Sequence, residues 1–175
     1  MRLKNKIAII FGAGQAPGET PAIGNGRAVS LLFAREGAKV MAVDRHLDSA
    51  EETVSLIQDE GGEAEAIACD VTVEDDVIAA IQACTDKWGR IDILHNNVGH
   101  AAMGGPLELS QSDWQRELDL NLSGVFLACK HALPLMLEQG KGAIVNISSA
   151  AGLRYTGYDY ASYYAAKGGV NQLTV

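Results

Sequence analysis

The sequence is short of features that mark several protein classes. It has three cysteines in 175 residues, an odd number. Cys69, Cys84 and Cys129 lie far apart and lack metal-site spacing. Cys84 and Cys129 fall on apolar helical faces and Cys69 ends a predicted strand. All three are therefore expected to pack in a core, in a reducing cytoplasm, rather than form a disulfide. Positive charge is also scarce: 14 Lys and Arg stand against 22 Asp and Glu, for a net charge of −8. That balance disfavours nucleic acid and anionic membrane surfaces as partners. No apolar run is expected to reach a membrane span. The N-terminal MRLKNKIAII has charge before an apolar stretch too short for a signal peptide, and no cleavage site. Without a repeat, low-complexity tract or linker, the length suits one domain over 1–175.

What is present is an alternation of apolar runs and amphipathic stretches. Residues 6–11 are continuously apolar, the pattern of a strand buried on both faces of a parallel sheet. Further strands are expected at 39–43, 64–69, 91–95 and 143–147. Helices are expected at 27–36, 47–60, 73–88 and 112–139, with a last one from near 158 still running at 175. Ser112 is a candidate N-cap for the long helix, and Pro134 is expected to kink it. Such alternation means βαβ units. The expected fold class is α/β, a doubly wound parallel sheet of the Rossmann type with helices on both faces. Ligands of such sheets sit beyond the carboxyl ends of the strands. Asp44, Asp70, Asn96, Asn97, Ser148 and Ser149 all follow predicted strand ends, so one rim is expected to gather them.

The first turn reads GAGQAPGETPAIGNGRA, much longer than an ordinary βα loop of about 2–6 residues. Gly12, Gly24 and Gly26 are candidates to bring backbone N–H groups and a helix N-terminus against a phosphate. A strict G-x-G-x-x-G does not fit. Asp44 follows Gly26 by 18 positions at the end of the second strand. A carboxylate there can accept both adenosine-ribose hydroxyls and would repel a 2′-phosphate, favouring NAD over NADP. Arg45 beside it argues the other way. Asp70-Val71 either brackets an adenine ring or starts a helix as a cap. Tyr163 and Lys167 lie four apart, on one face of a helix. An ammonium beside a phenol favours phenolate, and such a tyrosine can exchange a proton with an alcohol or carbonyl. By itself the pair also fits an exposed helical surface.

The glycine turn, Asp44, Asp70-Val71, Asn96-Asn97-Val98-Gly99, Asn121, the strand GAIVNISS and Tyr163-x-x-x-Lys167 run end to end in one order. In that order the chain resembles the short-chain dehydrogenases/reductases. The resemblance implies an oxidoreductase moving hydride between NAD(H) and a secondary alcohol or ketone, without a metal. It implies Tyr163 as acid/base, and Lys167 as the group that lowers its pKa and holds the nicotinamide ribose. Ser149, in preference to Ser148, would orient the substrate oxygen. Asn121 would kink its helix and hold a water of a proton relay. Asn96, Asn97 and Gly99 would line the cofactor, and the adenine side would use Asp70 and Val71. Two alternatives stand: an NADPH-dependent 3-oxoacyl-thioester reductase, and a catalytically inert nucleotide-binding fragment.

Several features depart from the family. Gly12 to Gly24 spans twelve positions, where about four are common, so residues 15–22 form an insertion, a surface lobe or a lid. Phe11 and Val98 replace a threonine and an alanine, and Ile23 stands where NADP-dependent members often have a basic residue. The family would continue beyond Val175 with two strands and a substrate-covering loop, so a C-terminal truncation is expected, with poor stability and little activity for 175 residues alone. The full-length form would be a homotetramer or homodimer. Trp88, Trp114 and His95 are expected to pack, and His46 and His131 to lie at the surface. His100 is a candidate substrate contact. Tyr155, Tyr158 and Tyr160 either pack or line an aromatic pocket. Glu51-Glu52 and Glu74-Asp75-Asp76 are expected as solvated first turns.

Overall fold

IAIIF, the first strand β1 (Ile7–Phe11), has no polar position and is buried throughout. Such a strand needs cover on both faces and neighbours on both edges. A computed structural model, describing residues 1–15 and 22–175, supplies both. β1 sits at the centre of a five-stranded sheet in the order β3-β2-β1-β4-β5. Its companions are β2 (Lys39–Asp44), β3 (Ala64–Ala68), β4 (Ile93–Asn96) and β5 (Ala143–Asn146), and every pairing is parallel. This is the doubly wound architecture expected from the alternation. The chain reverses direction of sheet growth between β1 and β4, which opens a crevice at their carboxyl ends.

Strand alternation divides the core in two. Ile7, Ile9 and Phe11 face one layer with α3 (Glu74–Trp88) and α5 (Gly124–Glu138). Ile10 faces the other with α1 (Asn25–Arg35) and α2 (Leu47–Asp59). The cysteines are free and buried, as expected. Burial pushes the Cys69 and Cys84 thiols up to about 12, so neither is a nucleophile near neutral pH.

Some boundaries differ from the expectation. α1 begins at Asn25 with Gly24 as its N-cap, so Gly26 lies in the first helical turn. The stretch expected as one helix over 112–139 has three parts: α4 (Gln111–Leu118), a π-helical turn (Asp119–Ser123) and α5. Ser110, not Ser112, caps α4, its Oγ accepting from Asp113 N at 3.1 Å. α5 carries Pro134 within it, and the interruption falls at Asn121 instead. The last helix, α6, spans Ala161–Leu173. Taken together, Gln111–Glu138 is long and apolar enough to cross a membrane by length and composition, contrary to the expectation from sequence. Its Val125, Ala128, Cys129, Ala132 and Met136 pack on the sheet.

The acidic first turns are also more engaged than expected. Glu74 accepts from Lys130 Nζ at 2.7 Å and lies 2.8 Å from His131 Nε2, joining α3 to α5. Glu52 pairs with the buried Arg27 at 2.6 Å, joining α2 to α1.

Candidate active site

The glycine turn is shaped by close backbone contact. Gly12 has φ +79°, and a Cβ there would lie 3.1 Å from Val98 N. A Cβ on Gly26 would lie 1.7 Å from Gly12 O, so no other residue fits. Helix α2 braces the same turn. Ser49 Oγ accepts from Gln15 N at 2.7 Å, and Thr53 Oγ1 donates to Ala13 O at 2.9 Å. Arg27 Nε donates to Thr53 Oγ1 at 3.0 Å from inside the core. Gln15 links the two ends of the long excursion: its Oε1 accepts from Gly24 N at 2.5 Å and its Nε2 donates to Ala22 O at 3.0 Å. Sequence reasoning passed over Gln15, Ser49 and Thr53, whose only signal was polarity next to the turn. The insertion's central residues, 16–21, where a lobe or lid was expected, lie outside the described residues.

Asp44, at the end of β2, lies against this turn. Its Oδ2 accepts from Gly14 N at 3.0 Å and its Oδ1 from His46 N at 3.1 Å. Arg45 Nε donates to the neighbouring His46 ring at 3.0 Å. Asp70 adopts a local turn, its Oδ1 accepting from Thr72 Oγ1 at 2.7 Å and Thr72 N at 2.9 Å. The Thr72 hydroxyl contact, foremost, holds the Asp70 carboxyl below its usual range. Val71 is buried in the core against Gly124, so its side chain belongs to the packing rather than to an open face.

The two asparagines at the end of β4 point to different places. Asn97 Nδ2 donates to Gly12 O at 3.1 Å and ties β4 to the glycine turn. Asn96 is buried, and its Nδ2 donates to Asn146 Oδ1 at 2.8 Å beside Cys129. The Asn96 side chain thus joins β4 to β5 inside the sheet, which leaves its main chain as the part of the residue that can line a cofactor. Strand alternation separates the pair.

Around Asn121 the polar groups are dense. This fully buried residue lies in the π-helical turn. Its Oδ1 accepts from His100 N at 3.1 Å, and its Nδ2 donates to His100 O at 2.9 Å and Glu117 O at 3.0 Å. The widened turn disturbs the i to i−4 ladder, and the side-chain amide takes up a carbonyl from it. Gly99 passes between two site residues. A Cβ there would lie 3.0 Å from Asn121 Oδ1 and 3.3 Å from Lys167 Nζ.

Lys167 is only 2% exposed on α6. Its Nζ donates to Ile147 O at 2.8 Å and stands 5.6 Å from the Tyr163 ring centroid. Burial pushes the Lys167 ammonium down, because desolvation disfavours the charged form. Ser148 Oγ donates to Lys167 O at 3.1 Å and anchors α6 to the end of β5. Ser149 Oγ accepts from Ala151 N at 3.1 Å, which leaves its O–H for another partner. The tyrosines pack on one another: Tyr160 lies 6.2 Å from Tyr163 and 5.6 Å from Tyr158, while Tyr155 and Tyr158 remain exposed. His95 is buried, and Trp88 packs against the core with its Nε1 on Glu63.

The family model described as short chain dehydrogenase matches residues 6–175. The chain belongs to the short-chain dehydrogenase family. An uncharacterized oxidoreductase of Bacillus subtilis is 42% identical over 99% of the chain, which covers 60% of that protein. A D-threitol dehydrogenase of Mycolicibacterium smegmatis is 38% identical over 97% of the chain and 62% of its own length. A crystal structure from Burkholderia xenovorans, assigned to the same family, superposes with a TM-score of 0.93 at 45% identity, over 98% of this chain and 67% of that one. The chain thus spans about 60% of the length of these curated relatives.

Proposed function

We propose that this short-chain dehydrogenase moves hydride between NAD(H) and a secondary alcohol or its ketone, with Tyr163 as acid/base. The observation that carries the reading is Lys167, buried beside the Tyr163 ring at the carboxyl end of β5. A lysine that only decorated a helix surface would be solvated. Here the ammonium has one carbonyl partner and a phenol as its neighbour, so it supports negative charge on the Tyr163 oxygen as a proton leaves. Ser148 is occupied in anchoring α6, so Ser149 is the hydroxyl left to orient the substrate oxygen. The π-helical turn at Asn121 loosens the main-chain ladder beside Lys167, which suits a water in a proton relay.

The residues present fit a nicotinamide dinucleotide. The Gly12–Gly26 contact would bring the α1 N-terminus close to a phosphate, an oxygen of which would replace Gln15 Oε1 at the Gly24 N–H. Asp44 would accept the adenosine-ribose hydroxyls, and Asp70 would lie at the adenine end, where Val71, its side chain packed in the core, would offer only its main chain. Asn97 holds the turn, and Gly99 keeps the nicotinamide side open next to Lys167. The cofactor, when bound, supplies the hydride acceptor or donor. Asp44, together with Ile23, supports NAD over NADP by repelling a 2′-phosphate. A 3-oxoacyl-thioester reductase would show the opposite preference.

The test is NADH formation across a panel of secondary alcohols. Tyr163→Phe keeps the ring and removes the proton carrier, and a fall in kcat of roughly 10²–10⁴-fold is expected with NAD affinity retained. A Tyr163→Phe enzyme near wild-type rate would remove Tyr163 from the mechanism.

A further inference from the structure

A buried carboxylate is costly unless every lone pair finds a donor. Glu117, on α4, is 2% exposed and is absent from the catalytic scheme above. Its Oε2 accepts from Ala102 N at 3.2 Å and from Asn121 Nδ2 at 3.3 Å. Its Oε1 lies 3.1 Å from His100 Nδ1. Glu117 thus holds both ends of a strap, His100 to Ala102, that follows Gly99. The strap starts against Lys167 and Asn121. It continues to Gly104, whose N–H donates to Asp159 O at 2.7 Å and whose carbonyl accepts from Ala161 N at 3.1 Å. The strap therefore borders the reaction site at Lys167 on one side and at the start of the Tyr163 helix on the other.

A carboxylate only accepts, so the imidazole donates its Nδ1–H to Glu117. In the neutral ring the lone pair is then on Nε2, and the His100 side chain is 67% exposed. We propose that Glu117 and His100 form a specificity pair for alcohols carrying a second hydroxyl. Glu117 is the positioning residue, and His100 Nε2 accepts a hydrogen bond from that hydroxyl. The inference rests on the assignment of Tyr163 and Lys167 as the reaction centre. An acceptor-only nitrogen favours a group that can donate and rejects an ether oxygen in its place.

The test compares a vicinal diol with its monomethyl ether in the wild type, His100→Ala and Glu117→Gln. In the wild type, kcat/KM for the diol exceeds that for the ether by about tenfold, through KM. His100→Ala brings the ratio close to one. Glu117→Gln keeps an oxygen for Ala102 N and Asn121 Nδ2 but turns an N–H toward His100. The ring tautomer then reverses, Nε2 becomes a donor that serves hydroxyl and ether alike, and the ratio falls to within about twofold. Ring-nitrogen NMR shifts report the same change without turnover: a protonated Nδ1 in the wild type and a protonated Nε2 in Glu117→Gln. A wild-type ring protonated on Nε2 overturns the proposal. So does an active wild type whose diol-to-ether ratio survives in His100→Ala, and that result leaves the Tyr163 assignment standing. A wild type that forms no NADH from any alcohol overturns both.

Discussion

The two sides of the sheet are built differently. On the β1-β2 side, the glycine turn is held by side chains from three directions: Ser49 and Thr53 of α2, Asp44 of β2 and Asn97 beyond β4. β1 and β2 are buried almost without exception. On the β4-β5 side, β5 alternates exposed and half-buried positions and is one of the two edges of the sheet, β3 being the other. There one hydroxyl and one ammonium are anchored, Ser148 and Lys167, while Ser149 keeps a free proton. The glycine-turn side is thus shaped in advance, down to Gln15 standing at the Gly24 N–H. The Lys167 side fixes its charge and leaves hydrogen-bonding capacity open. A rigid cradle suits a ligand with a constant phosphate, and free donors suit an oxygen whose charge changes during reaction.

The contrast predicts where substitution is tolerated. The largest effect is expected for Gly26→Ala. Its Cβ would stand 1.7 Å from Gly12 O, so the turn must open. NAD binding should be lost, with a fall in Tm, both measurable by titration calorimetry and thermal denaturation. Retained NAD affinity would break the idea of a pre-shaped cradle. Next, Ser149→Ala should lower kcat by roughly 10²-fold, in the range for one positioned donor, with Tm unchanged. Ser148→Ala should instead lower Tm, because it releases α6 from β5. The reverse outcome would exchange the two serines' roles. Smaller again, Asp44→Ala should weaken NAD binding and raise NADPH affinity relative to NADH by about tenfold, through loss of a ribose acceptor and of repulsion. Binding titrations with both cofactors would measure it.

The smallest effect is expected at an exposed pair between α3 and α5. The Lys130 contact, foremost, lowers the Glu74 carboxyl from 4.5. A lowered folded value means that the contact stabilises the protein above pH 4.5 and that this contribution is lost as pH falls through the folded value. Glu74→Gln should cost about 1–2 °C of Tm near neutral pH, and the gap should close in acid. A gap that persisted in acid would place the effect in packing instead.

Much of the site was legible because its parts are local. Tyr163 and Lys167 share a face through helical period alone, and Asp44 reaches the rim because it ends a strand. Other assignments needed contacts between residues distant in sequence. Asn96 and Asn97 are adjacent and of one type, and only the direction of each side chain from β4 separates them. Val71 looked like a candidate ring contact until its packing on Gly124 placed it in the core. Ser110 rather than Ser112 caps α4, and π-helical widening at Asn121 has no periodic signal.

The sequence by itself determined the parallel sheet, the order of its elements and the spacing of Tyr163 and Lys167. Hydrophobic period and turn chemistry act over a few residues and are written directly in the chain. Only the tertiary structure decided that Gln15, Ser49 and Thr53 brace the turn, that Ser148 is occupied while Ser149 is free, and that Glu117 holds His100. A polar side chain's role depends on which donor or acceptor folding brings within about 3 Å, and in a wound sheet that partner comes from another strand or helix.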